Sequence, residues 1–186
     1  MRIISGKLKG KKILLPKDIN TRPLRDLVKE SIFNLINHST KINFQIENSN
    51  VLDLFSGTGS FGIECISRGA NNVTFVENYN DALKILKKNI SILGVNKKSK
   101  IIEKNCFDLF GLNNNLDNKY DLIFMDPPYK EKNINHIINT IKEKKTLNKD
   151  GIMIIHRHKK DDIKISQHLK ILDERNYGIS KIILGN

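Results

Sequence analysis

From residue 50 onward the chain alternates short apolar runs with amphipathic stretches, and the first junction is rich in glycine. Val51-Leu52-Asp53-Leu54-Phe55 reads as a buried strand, and Gly57, Gly59 and Gly62 then lead into a helix over 60–68. Strands follow over 72–77, 100–103, 120–125 and 151–156. Between them lie helices marked by Ala82, Leu83, Leu86, Ile90 and Leu93, and by Ile134, Ile137, Ile138 and Ile141. The polar stretch 111–119 reads as a loop, and 169–173 with 179–184 as a terminal hairpin around Tyr177-Gly178. Such alternation requires a mostly parallel sheet covered by helices on both faces, a Rossmann-like α/β architecture, with the hairpin adding an antiparallel element at one edge.

Ahead of this domain lies a basic arm. Residues 2–15 read as a β-hairpin, Ile3-Ile4 and Ile13-Leu14-Leu15 flanking a tip that carries Lys7, Lys9, Lys11 and Lys12; Pro16 ends it. Leu24, Leu27, Val28, Ile32, Leu35 and Ile36 then recur at helical spacing, predicting a helix over 23–37 that begins at Pro23 and shows Arg25, Lys29 and Glu30 on its polar face. Residues 1–45 form the arm and 46–186 the α/β domain, within the size of one domain plus a small extension.

The formal charge of +12 favours a polyanionic partner, nucleic acid before anionic membrane, since no strongly amphipathic basic helix stands out. The plainer alternative is a lysine-rich solvated surface. No apolar stretch approaches the about 20 residues of a membrane span, and residues 1–7 lack the apolar core of a leader, so the expected location is cytoplasmic. Cys65 and Cys106 match no metal spacing and are expected to be reduced, buried thiols. No metal is expected, and a monomer is the default.

The segment Asp53-Leu54-Phe55-Ser56-Gly57-Thr58-Gly59 predicts a nucleotide-type site. Glycines let the backbone approach a ligand at a helix N-terminus, and Glu77, twenty residues after Gly57, can accept from both ribose hydroxyls. Nicotinamide-cofactor enzymes share this pattern, but Asp53 would repel a pyrophosphate and suits a cation or zwitterion. S-adenosylmethionine, with an amino group, a sulfonium and an adenosine ribose, fits Asp53 (directly or through water) and Glu77. The other reading of Asp53 is a carboxylate that hydrogen-bonds the glycine segment. Asn105-Cys106 follows the third strand, where the Asn105 amide and the Cys106 N–H can meet an adenine; a plain turn asparagine is the alternative.

The apolar run 121–125 stops on Asp126-Pro127-Pro128-Tyr129. An exocyclic amine of a nucleobase is a poor nucleophile because its lone pair is delocalised into the ring. The Asp126 carboxylate and the Pro127 carbonyl can draw it towards tetrahedral geometry, with proline rigidity fixing the segment. Tyr129 can stack on the base. Positioning and electrostatics then carry the transfer, without a strong general base.

In these two motifs the chain resembles the class I S-adenosylmethionine-dependent methyltransferases. Within them it is similar to the RsmD family, bacterial 16S ribosomal RNA guanine-N2 methyltransferases, through Arg2-Ile3-Ile4-Ser5-Gly6, Arg22-Pro23, the run from Arg25 to Asn34, Asp53 to Gly59 and Asp126 to Tyr129. The resemblance implies a seven-stranded sheet with one antiparallel strand. It implies methylation of a guanine N2 in 16S rRNA, naked or within an assembled small subunit. It implies an arm gripping RNA phosphates through Arg2, Lys7, Lys9, Lys11 and Lys12, aided by Arg22 and Arg25, with the target base turned out of its stack. Leu24 and His156-Arg157-His158 depart from the family pattern, the latter replacing an acidic strand end; the histidines are expected to face solvent or RNA without a catalytic role. The competing readings are an adenine-N6 methyltransferase and a catalytically idle RNA-binding assembly factor.

Overall fold

The computed structural model describes residues 1–16, 24–110 and 119–186. Its centre is a seven-stranded sheet built from β1 (Asn50–Leu54), β2 (Asn72–Val76), β3 (Ser99–Ile102), β4 (Tyr120–Met125), β5 (Leu147–His158), β6 (Ile171–Tyr177) and β7 (Ser180–Gly185). Their order is β3-β2-β1-β4-β5-β7-β6. All neighbours from β3 to β5 pair in parallel, and β7 alone runs against both of its neighbours. The terminal hairpin lies at one edge as expected, with β6 outermost. β5 is longer than the expected 151–156 at both ends, because Leu147 already pairs with Tyr120 of β4 and the antiparallel pairing with β7 continues to His158, opposite Ser180.

The strand residues divide by parity between two cores. Val51, Leu122, Phe124, Ile152 and Ile154 face one, packed with α1 (Asp26–His38), α2 (Ser60–Ser67) and α3 (Asn80–Ile92). Leu52, Leu54, Ile123, Met125, Met153 and Ile155 face the other, under α4 (Cys106–Leu109) and α5 (Ile134–Glu143). Burial on both faces is why these strands read as continuous apolar runs. Phe33, Phe61 and Phe124 stack in series, with ring centroids 5.2 and 3.8 Å apart, linking α1 through α2 to the sheet.

The arm folds onto this body. It doubles back through a single antiparallel bridge, Arg2 to Lys12, rather than the two strands of a full hairpin. Ile3, Gly10 and Ile13 N–H pair within the arm, but the donors that would extend the ladder past Ile3 go elsewhere. Ile4 and Ser5 N–H donate to the Glu64 carboxylate at 2.8 and 2.9 Å, and Lys7 N–H donates to Ser67 O at 2.8 Å. Gly6 permits this approach, since a Cβ there would lie 1.9 Å from Ser67 O. Ile3 and Ile13 enter the same core as α1, while Lys7, Lys9, Lys11, Lys12 and Arg2 remain exposed.

Lys29 corrects the sequence expectation. It lies inside, 0% exposed, not on the polar face of α1. Its Nζ donates to Arg2 O at 3.0 Å and Ser60 Oγ at 3.2 Å, and lies 3.5 Å from Glu64 Oε2, which is also fully buried. Desolvation lowers the Lys29 pKa, opposed by Glu64 and Asp26. Helical spacing alone could not reveal this, because the group that buries Lys29 is the arm, which lies outside the helix pattern. Removing one partner of a buried ion pair leaves an uncompensated charge, so Glu64→Ala should cost about 3–5 kcal/mol in urea denaturation. A loss under about 1 kcal/mol would show that Glu64 does not hold the arm.

Candidate active site

β1 and β4 are parallel neighbours with Leu54 beside Met125, so both end at the same level. The chain leaves β1 into the glycine turn and leaves β4 into Asp126-Pro127-Pro128-Tyr129. β2 flanks β1 on its other side and ends just before Glu77. The crevice where strand order reverses is the place where open α/β sheets bind ligands.

The glycine turn is tightly supported. Phe55 adopts a left-handed backbone (φ 58°), uncommon for a bulky residue. Ser56 N–H donates to Val76 O at 3.0 Å, tying the turn to β2. Gly59 (φ 81°) is the N-cap of α2, and a Cβ there would lie 2.4 Å from Leu86 Cδ1. Asn89 on α3 donates to Thr58 O at 3.0 Å and to Leu14 O at 3.1 Å, so one buried amide joins this turn to the arm.

Three carboxylates surround the turn. Asp53 is 1% exposed, and its Oδ2 accepts from Gly62 N–H at 2.9 Å. The structure thus realises the second reading of Asp53, a carboxylate bonded to the glycine segment. Burial raises its pKa well above the ordinary carboxylate range, opposed by the Gly62 hydrogen bond and reinforced by Asp126 and Glu77. Glu77 is fixed by three backbone donors, Gly57 N–H to Oε2 at 2.7 Å and Asn78 and Tyr79 N–H to Oε1 at 2.8 Å each. In a chain of net charge +12, the turn is thus flanked by carboxylates rather than by lysines.

Asn105 caps α4 through its side chain, with Phe107 N–H donating to Oδ1 at 2.9 Å. This is the turn role, and it leaves the second lone pair of Oδ1 for a further donor. Cys106 is buried beside it, its thiol pushed up to about 12 chiefly by desolvation. A thiol so disposed is a packing group, not a nucleophile.

The structure overturns the expectation for the end of β5. His156 is 5% exposed, not solvent-facing, and its Nδ1 lies 2.7 Å from Asp126 Oδ1. Its Nε2 lies 2.8 Å from Ser180 Oγ. Arg157, 2% exposed, donates to the carbonyls of Pro128 (3.2 Å), Tyr129 (3.2 Å) and Glu131 (2.9 Å) and pairs with Asp161. Tyr129 is half-buried, its ring edge-on to His156 and His158 at 6.4 and 5.4 Å. Phe55, Gly57, Gly59, Glu77 and Asp126 to Tyr129 therefore follow the C-terminal ends of the neighbouring strands β1, β2 and β4, and Asp53 lies one residue inside the end of β1. Arg25 is exposed at the start of α1, and Arg22 lies outside the described residues. The sequence carries one signal for His156: aligning the apolar runs 122–125 and 152–155 as parallel neighbours sets residue 156 beside residue 126.

Over its full length, residues 1–186, the chain matches the family model described as Conserved hypothetical protein 95 and belongs to that family, the RsmD methyltransferases. It is 37% identical over 161 residues to the Ribosomal RNA small subunit methyltransferase D of Buchnera aphidicola from Acyrthosiphon pisum, covering 87% of this chain and 80% of the relative. The protein of the same name from Haemophilus influenzae is 29% identical, with 96% and 90% covered. Among solved structures, HI0767 from Haemophilus influenzae superposes with a TM-score of 0.77 at 27% identity, over 99% of this chain and 96% of that one. The Escherichia coli yhhF structure reaches 0.82 over 100% and 96%, and at 23% identity bears on the fold alone.

Arg157 is the group that orders the backbone after Pro127. Arg157→Ala should strip donors from three carbonyls and leave Asp161 unpaired, lowering stability by about 2–4 kcal/mol in urea denaturation. Proteolysis should then begin within 128–132. Unchanged stability and protection would remove this role.

Proposed function

We propose that this protein transfers a methyl group from S-adenosylmethionine to the exocyclic N2 amine of a guanine in 16S ribosomal RNA, as free RNA or in the small subunit. The observation that carries the reading is the meeting of a carboxylate-lined glycine turn with Asp126-Pro127-Pro128-Tyr129 at the ends of β1 and β4. The relatives named Ribosomal RNA small subunit methyltransferase D support the choice of RNA.

The donor set fits the cofactor. Asp53 and Glu77 supply negative charge, and the remaining acceptor capacity of Glu77 suits ribose hydroxyls while its backbone bonds hold it still. Bound there, S-adenosylmethionine offers an electrophilic methyl carbon on a sulfonium. Asp126 and the Pro127 carbonyl accept the two N–H groups of the amine, and Tyr129 stacks on the base. Held by Asp53 and Glu77, the cofactor would supply its methyl carbon to the amine lone pair and retain the carbon–sulfur pair on sulfur, and the surplus amine proton would pass to water. Positioning and fixed charge supply the acceleration.

Residues 46–186 carry this chemistry in the proposal, and 1–45 the RNA grip. Exposed Arg2, Lys7, Lys9, Lys11, Lys12 and Arg25 present cations to phosphates, and Arg22 is included on sequence grounds. The arm is bolted to the body through Glu64 and Asn89, so phosphates held there stand at a fixed distance from the glycine turn.

The test is transfer of labelled methyl to unmodified small-subunit RNA, assembled small subunits and duplex DNA, with digestion to nucleosides. N2-methylguanosine from RNA is expected, and Asp126→Ala should lower transfer by at least about 100-fold while cofactor binding persists. Methyladenine would move the protein to the adenine-N6 chemistry. No transfer with the cofactor bound would favour the assembly-factor reading, and full activity of Asp126→Ala would overturn the mechanism.

A further inference from the structure

The last paired residues of β4 and β5 are Phe124 with Ile154 and Met125 with Ile155. One step further, Asp126 leaves the sheet while His156 stays in β5, paired to β7, and the two side chains meet. Their contact at 2.7 Å ties the Asp126 carboxylate to β5. The carboxylate sits on a turn and is 22% exposed, so without a partner it would rotate about its side-chain bonds. His156 has no such freedom. Its backbone is paired to Ile182 of β7, its ring is buried, and Nε2 meets the buried Ser180 hydroxyl on β7 at 2.8 Å.

We infer that His156 is a positioning residue for the methyl transfer, holding Asp126 by one carboxylate oxygen so that the other faces the amine, with Ser180 setting the orientation of the ring. The inference rests on the reading of Asp126 as an acceptor for that amine. A carboxylate oxygen only accepts, so Nδ1 carries the proton in this contact. In the neutral ring Nε2 is then an acceptor, and the Ser180 O–H donates to it. This fixes tautomer and orientation together, as a second hydrogen bond to an imidazole does. The same ring lies edge-on to Tyr129 at 6.4 Å, so one side chain bears on both the acceptor and the stacking face. Nothing in the Asp-Pro-Pro-Tyr motif itself supplies this restraint. It comes from two strands farther along the chain.

The test compares kcat and KM, for S-adenosylmethionine and unmodified small-subunit RNA, among His156→Ala, His156→Asn, His156→Gln, Ser180→Ala and Asp126→Ala. The side-chain nitrogen of asparagine overlays Nδ1, and that of glutamine overlays Nε2. His156→Ala should lower kcat by about 10–100-fold with both KM values little changed, as expected for loss of alignment rather than of binding. His156→Asn should recover most of the rate and His156→Gln should not. Ser180→Ala should lose a few-fold. Wild-type kcat in His156→Ala beside an inactive Asp126→Ala would overturn the inference and leave the proposed function standing. An active Asp126→Ala would sink both. If His156→Ala does not fold, equal rates in the asparagine and glutamine variants would overturn the positioning role.

Discussion

The parallel pairing of β1 with β4 governs the rest of the molecule, because it places two chemically different loops at adjacent strand ends. Neither loop is a site alone. The glycine turn after β1 offers close backbone approach and a ring of carboxylates, while the turn after β4 offers hydrogen-bond acceptors and an aromatic face. A one-residue slip between these strands would exchange the side chains of the two cores, and the close packing particular to each core resists it. The hydrophobic cores therefore set the register that brings Asp126 within the electrostatic reach of Asp53.

Charge is distributed in a complementary way. The exposed surface is lysine-rich, but the functional crevice is acidic, and a second buried cluster of Lys29 and Glu64 lies under the arm. That cluster makes the arm part of the body. Glu64 binds two backbone donors of the arm while standing on α2, the helix that follows the glycine turn. Asn89 repeats the connection from α3. The basic arm and the crevice at the strand ends thus belong to one packed unit, joined by the buried Glu64 and Asn89.

Much of this was legible in the sequence where local pattern decides the outcome. The strands of the α/β domain are read from apolar runs, the glycine turn from its spacing, and Asp126 to Tyr129 from an abrupt end to apolarity. What stayed hidden depends on contacts between distant segments. Lys29 reads as a surface residue until the arm covers it. The arm reads as a hairpin until Glu64 and Ser67 take up its donors. His156 and Arg157 read as a polar strand end until β7 pairs beyond Ile155 and encloses them. Asn105 was open to two readings, and its capping of α4 is the one that depends only on neighbouring residues.

The central claim is that the carboxylates around the glycine turn form a site for a cationic ligand. Asp53 has its pKa raised by burial and by the neighbouring carboxylates. A ligand bearing positive charge lowers it again, so binding must release protons in the window above the ordinary carboxylate pKa, and affinity must rise with pH across that window. Calorimetric titration with S-adenosylmethionine in buffers of different ionisation enthalpy measures this directly. Proton release that disappears in Asp53→Asn is the predicted result. Binding with no proton release, or with the same release in Asp53→Asn, would contradict the account.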